Sequence, residues 1–269
     1  MKLLVPLDGS VLSESMLVPA VRLAGEGGEV DLVRVLDPGR GGSPDARARQ
    51  AVEAYLEDAR RRLEAEGLAV RWSLEEGDPA ERILVAAAER GSELIAMATH
   101  GEGGADRGPR GSVAERVLRR SAVPVFLANP SAIPKTHQGT WRRILVPLDG
   151  SAFADLALPW AARFAKRFGG EVILFDVHPP ERPLSLKEQA ERLRGRGIPV
   201  RRRTAHGDPA EQIVRVAKEA DLVCMCSHGR TGIARWWYGS VAERVVRACD
   251  RPLVVVRPRS EGDDAGSKG

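Results

Sequence analysis

The chain repeats itself, and this internal repeat constrains the fold more than any other feature of the sequence. Four segments of the first half return, nearly unchanged and in the same order, in the second half. The pairs are residues 3–10 (Leu-Leu-Val-Pro-Leu-Asp-Gly-Ser) with 144–151, 77–81 (Gly-Asp-Pro-Ala-Glu) with 207–211, 100–101 (His-Gly) with 228–229, and 111–117 (Gly-Ser-Val-Ala-Glu-Arg-Val) with 239–245. A chain of 269 residues has room for two domains that each bury a core. The repeat therefore predicts two copies of one domain, fused head to tail.

The boundaries of the two domains follow from local composition. Residues 129–139 contain two prolines, one glycine and few apolar side chains, which is typical of a linker. The last ten residues are rich in Gly, Ser and Asp and indicate a frayed tail. The copies differ in length because residues 37–66 form a longer loop and helix than residues 178–196. We predict domains at 1–130 and 141–258, a linker at 131–140 and a tail at 259–269.

Short runs of Val, Leu and Ile alternate with helical patterns in each copy. This alternation is typical of βαβ units and predicts a parallel sheet. We expect each copy to be a doubly wound α/β domain with an open, parallel, five-stranded sheet of Rossmann-like topology. Predicted strands are 2–7, 29–36, 69–75, 93–98 and 124–128 in the first copy, and 143–148, 171–177, 199–205, 221–226 and 252–256 in the second. Predicted helices of the first copy are 13–25, 45–66, 79–90 and 112–121, the third beginning at an Asp-Pro-Ala-Glu start signal.

Composition argues against several classes of protein. No apolar run approaches the ~20 residues of a membrane helix and no signal-peptide pattern follows Met1, so we expect a cytoplasmic protein without a membrane partner. The net charge is +4, but only 4% of residues are aromatic and the arginines are interspersed with glutamates, which argues against a nucleic-acid partner. Cys224 and Cys226 are interpreted as buried thiols, because no second pair completes a metal site. We therefore predict no metal.

Two segments of each copy are expected to form a ligand crevice. In a doubly wound sheet the crevice lies beyond the carboxyl ends of the strands, where the strand order reverses. The first segment follows strand one and the second follows strand four, leading through a glycine-rich loop into a helix. Glycine lets the backbone approach a ligand, and a helix start directs N–H groups at an anion. A glycine-rich loop alone is weak support, but this one occurs twice, with nine residues between Gly101 and Gly111 and nine between Gly229 and Gly239.

Over nearly its whole length the chain resembles the universal stress proteins in tandem form. The resemblance rests on Val-Pro-Leu-Asp-Gly-Ser after strand one, His-Gly-Arg-Thr-Gly at 228–232, and Gly-Ser-Val-Ala-Glu-Arg-Val at 239–245 before Arg-Pro-Leu-Val-Val-Val at 251–256. It implies the adenine nucleotide alpha hydrolase-like variant of the Rossmann-like fold. In the family's ATP-binding branch, the strand-one Asp and the main chain after strand two hold adenosine, and a Gly-Ser turn holds the phosphates.

Carried over by position, the resemblance implies a nucleotide site in each copy. The implied residues are Pro6, Leu7, Asp8, Val35, Ala98, His100, Gly101, Gly111, Ser112 and Val113 in the first, and Pro147, Leu148, Asp149, Val177, Cys226, His228, Gly229, Gly239, Ser240 and Val241 in the second. The family pattern Gly-x2-Gly-x9-Gly-Ser/Thr begins here with Ala98 and Cys226 instead of glycine. In the first copy, Glu102 and Asp106 oppose phosphate charge, although Arg107 and Arg110 offset them. We expect two ATP sites of different affinity, the first being the weaker.

Enzyme classes find little support. No P-loop and no Gly-x-Ser-x-Gly motif occurs, and His100 and His228 are interpreted as turn residues, so no catalytic residue is predicted. The leading hypothesis is a stress-response protein that binds ATP, with Mg²⁺ as a possible companion, and signals through conformation or association. The alternatives are a nucleotide-free scaffold for protein partners and a slow ATP hydrolase. In this family the last strands of two protomers pair, so residues 123–128 and 252–256 are expected to pair within one chain as a pseudo-dimer, with further homodimerisation left open.

Overall fold

The computed structural model describes residues 1–38, 45–99, 113–129, 141–177, 186–227 and 239–258. The chain divides into two compact units, Met1–Gly139 and Thr140–Gly269. The elements of the first unit are β1 (Lys2–Pro6), α1 (Val11–Glu14), α2 (Leu17–Ala24), β2 (Glu29–Leu36), α3 (Ala46–Glu64), β3 (Ala69–Glu76), α4 (Pro79–Glu89), β4 (Leu94–Ala98), α5 (Val113–Arg120) and β5 (Val125–Ala128). Those of the second are β6 (Arg143–Leu148), a 3₁₀ turn (Ala154–Ala157), α6 (Leu158–Phe168), β7 (Glu171–Val177), α7 (Lys187–Arg194), β8 (Val200–Ala205), α8 (Pro209–Ala217), β9 (Leu222–Cys226), α9 (Ser240–Ala248) and β10 (Leu253–Val256).

Each unit contains an open parallel sheet of five strands. The strand order is β3-β2-β1-β4-β5 in the first unit and β8-β7-β6-β9-β10 in the second. The chain winds outward from β1 to β3 and then crosses to β4, so the order reverses between β1 and β4, and likewise between β6 and β9. The predicted doubly wound α/β fold is thus confirmed, and the predicted strands end within one residue of the observed ones.

The central strands are apolar throughout because helices cover both faces of a parallel sheet. All five residues of β4 and of β9 are buried. The helices pack through apolar stripes, as α3 does through Leu56, Ala59 and Leu63, which recur at helical spacing and are buried. The hydrophobic effect of this burial fixes which face of each helix meets the sheet.

One predicted helix is wrong in its extent. Residues 13–25 were expected to form a single helix, but the structure shows two, α1 and α2. Pro19 has no N–H to donate to residue 15 and its ring crowds that carbonyl, so the helix restarts just before it. The second unit behaves alike: a 3₁₀ turn precedes α6, which has Pro159 near its start.

An aspartate caps the same helix in both units and ties it to the next one. Asp78 accepts a hydrogen bond from the backbone N–H of Glu81 at 3.0 Å and pairs with Arg116 of α5. The second unit repeats this arrangement: Asp208 caps α8 and pairs with Arg244 of α9 at 2.7 Å. The arginine lowers the pKa of the capping carboxyl in each unit. The repeated Gly-Asp-Pro-Ala-Glu segment thus has a structural role.

Replacing Asp78 by Ala should lower the free energy of unfolding by about 1 kcal/mol at neutral pH, because an N-cap is lost. Arg116 lowers the pKa of Asp78 below its usual 3.8. The stabilisation by Asp78 is therefore present above about pH 4 and is lost as the pH falls through the folded pKa. Urea unfolding followed by circular dichroism, across this pH range, measures both effects.

Asp58→Ala is the matched control for this prediction. Asp58 lies on the exposed face of α3, and its carboxylate meets Arg62 at 3.7 Å. An exposed pair of this kind contributes less than about 0.5 kcal/mol. Equal losses in the two variants at neutral pH would contradict the role assigned to the cap.

Candidate functional site

The first unit ends its central strand in a tight turn built on Asp8. The Asp8 carboxylate oxygen Oδ1 accepts hydrogen bonds from the backbone N–H of Ser10 at 3.0 Å and from its hydroxyl at 2.5 Å. Gly9 lies between them with φ of +81°, a left-handed conformation that favours glycine. The Asp-Gly-Ser sequence therefore holds a carboxylate in one orientation at the carboxyl end of β1.

The second unit contains the same hydrogen-bonded turn. The Asp149 oxygen Oδ1 accepts from the Ser151 N–H at 3.0 Å and from its hydroxyl at 2.6 Å. Gly150 has φ of +80°. The Ser151 hydroxyl oxygen in turn accepts from the N–H of Ala154 at 3.1 Å. Two independent copies of one hydrogen-bonded turn indicate that the carboxylate position is a requirement shared by both units.

Strand register brings the candidate residues to one edge of the sheet. In the second unit Leu148 pairs with Asp176, and Leu145 pairs with Val223. Counting along the strands, Asp149 therefore stands level with Val177 on one side and with Ser227 on the other. In the first unit the same count places Asp8 level with Val35 and Thr99. The site residues expected after strands one and two are adjacent for this reason.

The start of α9 is anchored at the same edge. The N–H of Gly239 donates to the carbonyl of Ser227 at 2.9 Å, and Ser227 is buried. Gly239 is the N-cap of α9 and offers no side chain to cap it. The first N–H groups of a helix have no partner within the helix, and together with the helix dipole they attract anions. In α8 an aspartate fills this need, whereas among the described residues no side chain caps the start of α9.

The remaining predicted residues fall into three groups. Leu7, Leu148, Ala98 and Cys226 are buried, so the two positions that replace the family's first glycine lie packed at strand ends. Pro6, Val35, Val113, Pro147, Val177 and Val241 are partly exposed, and Ser240 is exposed. His100, Gly101, Gly111, Ser112, His228 and Gly229 lie outside the described residues.

The two cysteines of β9 are expected to be unreactive. Cys224 and Cys226 are buried thiols. Burial raises the pKa of the Cys224 thiol, because the thiolate would lose its hydration. Across the described ranges no group of three His, Cys, Asp or Glu side chains is placed to hold a metal.

The two crevices differ in residues that the sequence analysis missed. Arg34 in β2 is partly buried, and a Cβ placed on Gly9 would lie 3.4 Å from its Nη1. By strand register the equivalent residue in β7 is Asp176, which is buried. The first crevice thus has a cation beside its Asp-Gly-Ser turn, whereas the second has a carboxylate at that position.

Tyr55 adds a second difference. It lies in α3, before the part of that helix that corresponds to α7. The described residues of the second unit therefore include no counterpart of Tyr55. Its hydroxyl is buried without a hydrogen-bond partner. Burial, together with the charges of Glu14 and Asp8, raises the pKa of Tyr55 to about 12. A comparison of the sequences of β2 and β7 could have identified Arg34. Tyr55 lies in the segment where the two copies differ in length, so a comparison of the copies does not identify it.

Fold and site together define a duplicated α/β protein with a candidate ligand site at each point of strand reversal. The chain belongs to the universal stress protein family, whose model matches residues 1–129, 140–191 and 181–257. Within the described residues, no helix is both long and apolar enough to cross a membrane.

Individual relatives support the same family. A universal stress protein of Mycobacterium tuberculosis is 32% identical over 186 residues, which span 62% of this chain and 62% of the relative. One of Mycolicibacterium smegmatis is 28% identical over 221 residues, covering 73% and 71% of the two chains. The solved structure of a universal stress protein from Archaeoglobus fulgidus has a TM-score of 0.78 and 26% identity, and covers 98% of this chain and 97% of that one.

Gly150→Ala should destabilise the second unit by about 1–2 kcal/mol, because a residue with a Cβ is strained at this positive φ. Gly195→Ala is the control, since Gly195 has φ of −59°, and it should change the free energy of unfolding by less than about 0.5 kcal/mol. Urea unfolding of both variants measures the difference. Equal stability of the two would contradict the strained turn.

Proposed function

We propose that this chain binds ATP at the carboxyl ends of its sheets and acts in the stress response through nucleotide-dependent conformation or association. The observation that supports this best is the uncapped start of α9, anchored one strand from the Asp149 turn. A helix start that is capped by a side chain does not need an anion. In the same unit Asp208 caps α8, whereas no described side chain caps α9.

The phosphate end of the second site is assigned to Gly239, Ser240 and Val241. The backbone N–H groups of Ser240 and Val241 lie in the first turn of α9, where the helix dipole favours negative charge, whereas the N–H of Gly239 already donates to the Ser227 carbonyl. The side chain of Ser240 is exposed and carries a hydroxyl that can donate to a phosphate oxygen. Gly239 has no side chain to obstruct this approach.

The adenosine end is assigned to Asp149 and to the main chain at Val177. The Asp149 carboxylate is fixed by Ser151 and accepts hydrogen bonds, as the hydroxyls of a ribose require. The main chain at Val177 supplies the N–H and C=O groups that can pair with the edge of an adenine. Buried Leu148 provides apolar surface beneath. Any accompanying Mg²⁺ would be held mainly by phosphate oxygens.

The serine hydroxyl beside Asp149 is not prepared for nucleophilic attack. The Ser151 hydroxyl donates to Asp149 and accepts from Ala154, so it is engaged at both its proton and a lone pair. A nucleophile in this state is held in a structural turn and is poorly prepared to attack a phosphate. We therefore place ATP here as a regulatory ligand.

We assign the tighter site to the second unit. In the first unit the Arg34 guanidinium lies beside Gly9, and Tyr55 stands near the Asp8 carboxylate. A positive charge and a bulky ring thus lie near the adenosine end of the first site, and the described residues of the second unit place neither there. Arg34 would have to move before a ribose could reach Asp8.

Asp149→Ala should weaken the tighter ATP binding by about tenfold or more, because the ribose loses a charged hydrogen-bond acceptor. Asp8→Ala, the matched change in the first unit, should leave that tighter binding within about twofold. Isothermal titration calorimetry with ATP measures both. If wild-type chain binds no ATP at about millimolar concentration, the proposal fails and a nucleotide-free scaffold for protein partners takes its place.

A further inference from the structure

The strand β8 forms the outer edge of the second unit's sheet. Among the described residues it pairs only with β7, in parallel, from Val200 to Ala205. The N–H of Val172 donates to the carbonyl of Pro199 at 2.9 Å. Because a parallel strand directs alternate residues to alternate neighbours, the backbone groups of Arg202 and Thr204 face outward. Such outward groups can accept a further strand.

The same edge carries an excess of positive charge. A cavity of about 700 Å³ includes residues of β8 in its lining, and its charged lining side chains are Arg143, Arg194, Arg201, Arg202, Arg203, Glu171 and Glu219. Five of these side chains are arginines, whereas two are glutamates. The edge therefore favours an anionic occupant.

Arg202 is a cation of this edge that has no carboxylate partner among the described residues. Arg201 pairs with Glu171 at 2.8 Å, and Arg203 pairs with Glu219 at 2.6 Å. Arg202 lies between them, exposed, and across the described residues its guanidinium makes no ion pair or hydrogen bond. The backbone groups of Arg202 also face outward. The same residue therefore offers a positive charge and backbone groups that can pair with a further strand.

The first unit shows that the fold does not require these arginines. Trp72 of β3 is the equivalent of Arg202, and its indole N–H donates to Glu57 of α3 at 3.1 Å. Ser73 is the equivalent of Arg203. The same position thus carries a side chain hydrogen-bonded to α3 in one copy and, among the described residues, an exposed arginine without an ion pair in the other.

We propose that the β8 edge of the second unit binds an extended, acidic segment of a partner protein as an added strand. Opposite side chains of paired strands lie about 4.5–5.5 Å apart, so acidic residues of the added strand meet the arginines directly. The N–H and C=O groups of Arg202 and Thr204 supply the ladder, and the guanidinium of Arg202 supplies selectivity for a carboxylate.

Fluorescence anisotropy with the full chain tests the proposal. The probe is a fluorescein-labelled peptide of alternating glutamate and threonine, about ten residues long. It should bind saturably, and Arg202→Glu should weaken binding by about tenfold because attraction becomes repulsion. Arg61→Glu makes the same charge change on an exposed position of α3 and should leave binding unchanged. Circular dichroism confirms folding, and Arg202→Gln replaces Arg202→Glu if the latter fails to fold.

Two further probes separate the proposed mode from other modes. A version of the peptide with N-methyl groups at alternate residues keeps its charge but cannot complete the ladder, and should bind about tenfold more weakly. Equal binding of the methylated peptide, equal effects of Arg202→Glu and Arg61→Glu, or absence of peptide binding would overturn the proposal. Preference for single-stranded oligothymidine over the peptide, or self-association of the chain abolished by Arg202→Glu, would also overturn it by assigning the edge to nucleic acid or to a second copy.

Discussion

The parallel register of the central strands is the constraint on which the candidate site depends. Asp149, Val177 and Ser227 belong to three different strands, and they meet because β6, β7 and β9 run in the same direction and in fixed alignment. The buried apolar faces of these strands hold that alignment, since a slip of one residue would turn every side chain to the opposite face. The Gly239 N–H to Ser227 bond then brings the start of α9 to the same edge.

The helices α8 and α9 differ in whether a side chain caps their first turn. Asp208 satisfies the start of α8 and, through Arg244, ties α8 to α9. Among the described residues no side chain caps the start of α9, where we propose that the phosphates bind. One aspartate thus stabilises its own helix while steadying the helix proposed to bind phosphate. The same pair of contacts recurs in the first unit with Asp78 and Arg116.

Sequence predicts the sheet well because its causes are local and repeated. Runs of Val, Ile and Leu mark strands buried on both faces, and the second copy checks each assignment made in the first. The helix predicted at 13–25 failed at Pro19, whose effect on the preceding turn was overlooked. Strand-end residues such as Asp149 were identifiable because the type of turn at a strand end is determined by adjacent residues.

Features that depend on contacts between distant segments could not be predicted. Tyr55 and Asp8 are far apart in sequence, and the packing of α3 brings the Tyr55 hydroxyl within the influence of the Asp8 charge. The β8 edge likewise could not be predicted without knowing that Arg202 replaces Trp72 at a strand that pairs, among the described residues, with one other strand. Duplication is what makes these differences interpretable, because each unit is a control for the other.

The number of ATP molecules bound per chain, measured by equilibrium dialysis over a range of ATP concentrations, tests the central claim most directly. Two unequal crevices predict stepwise filling: one ATP per chain at low concentration and a second only at higher concentration. Two sites that fill together with equal affinity, or a chain that binds none, would contradict it.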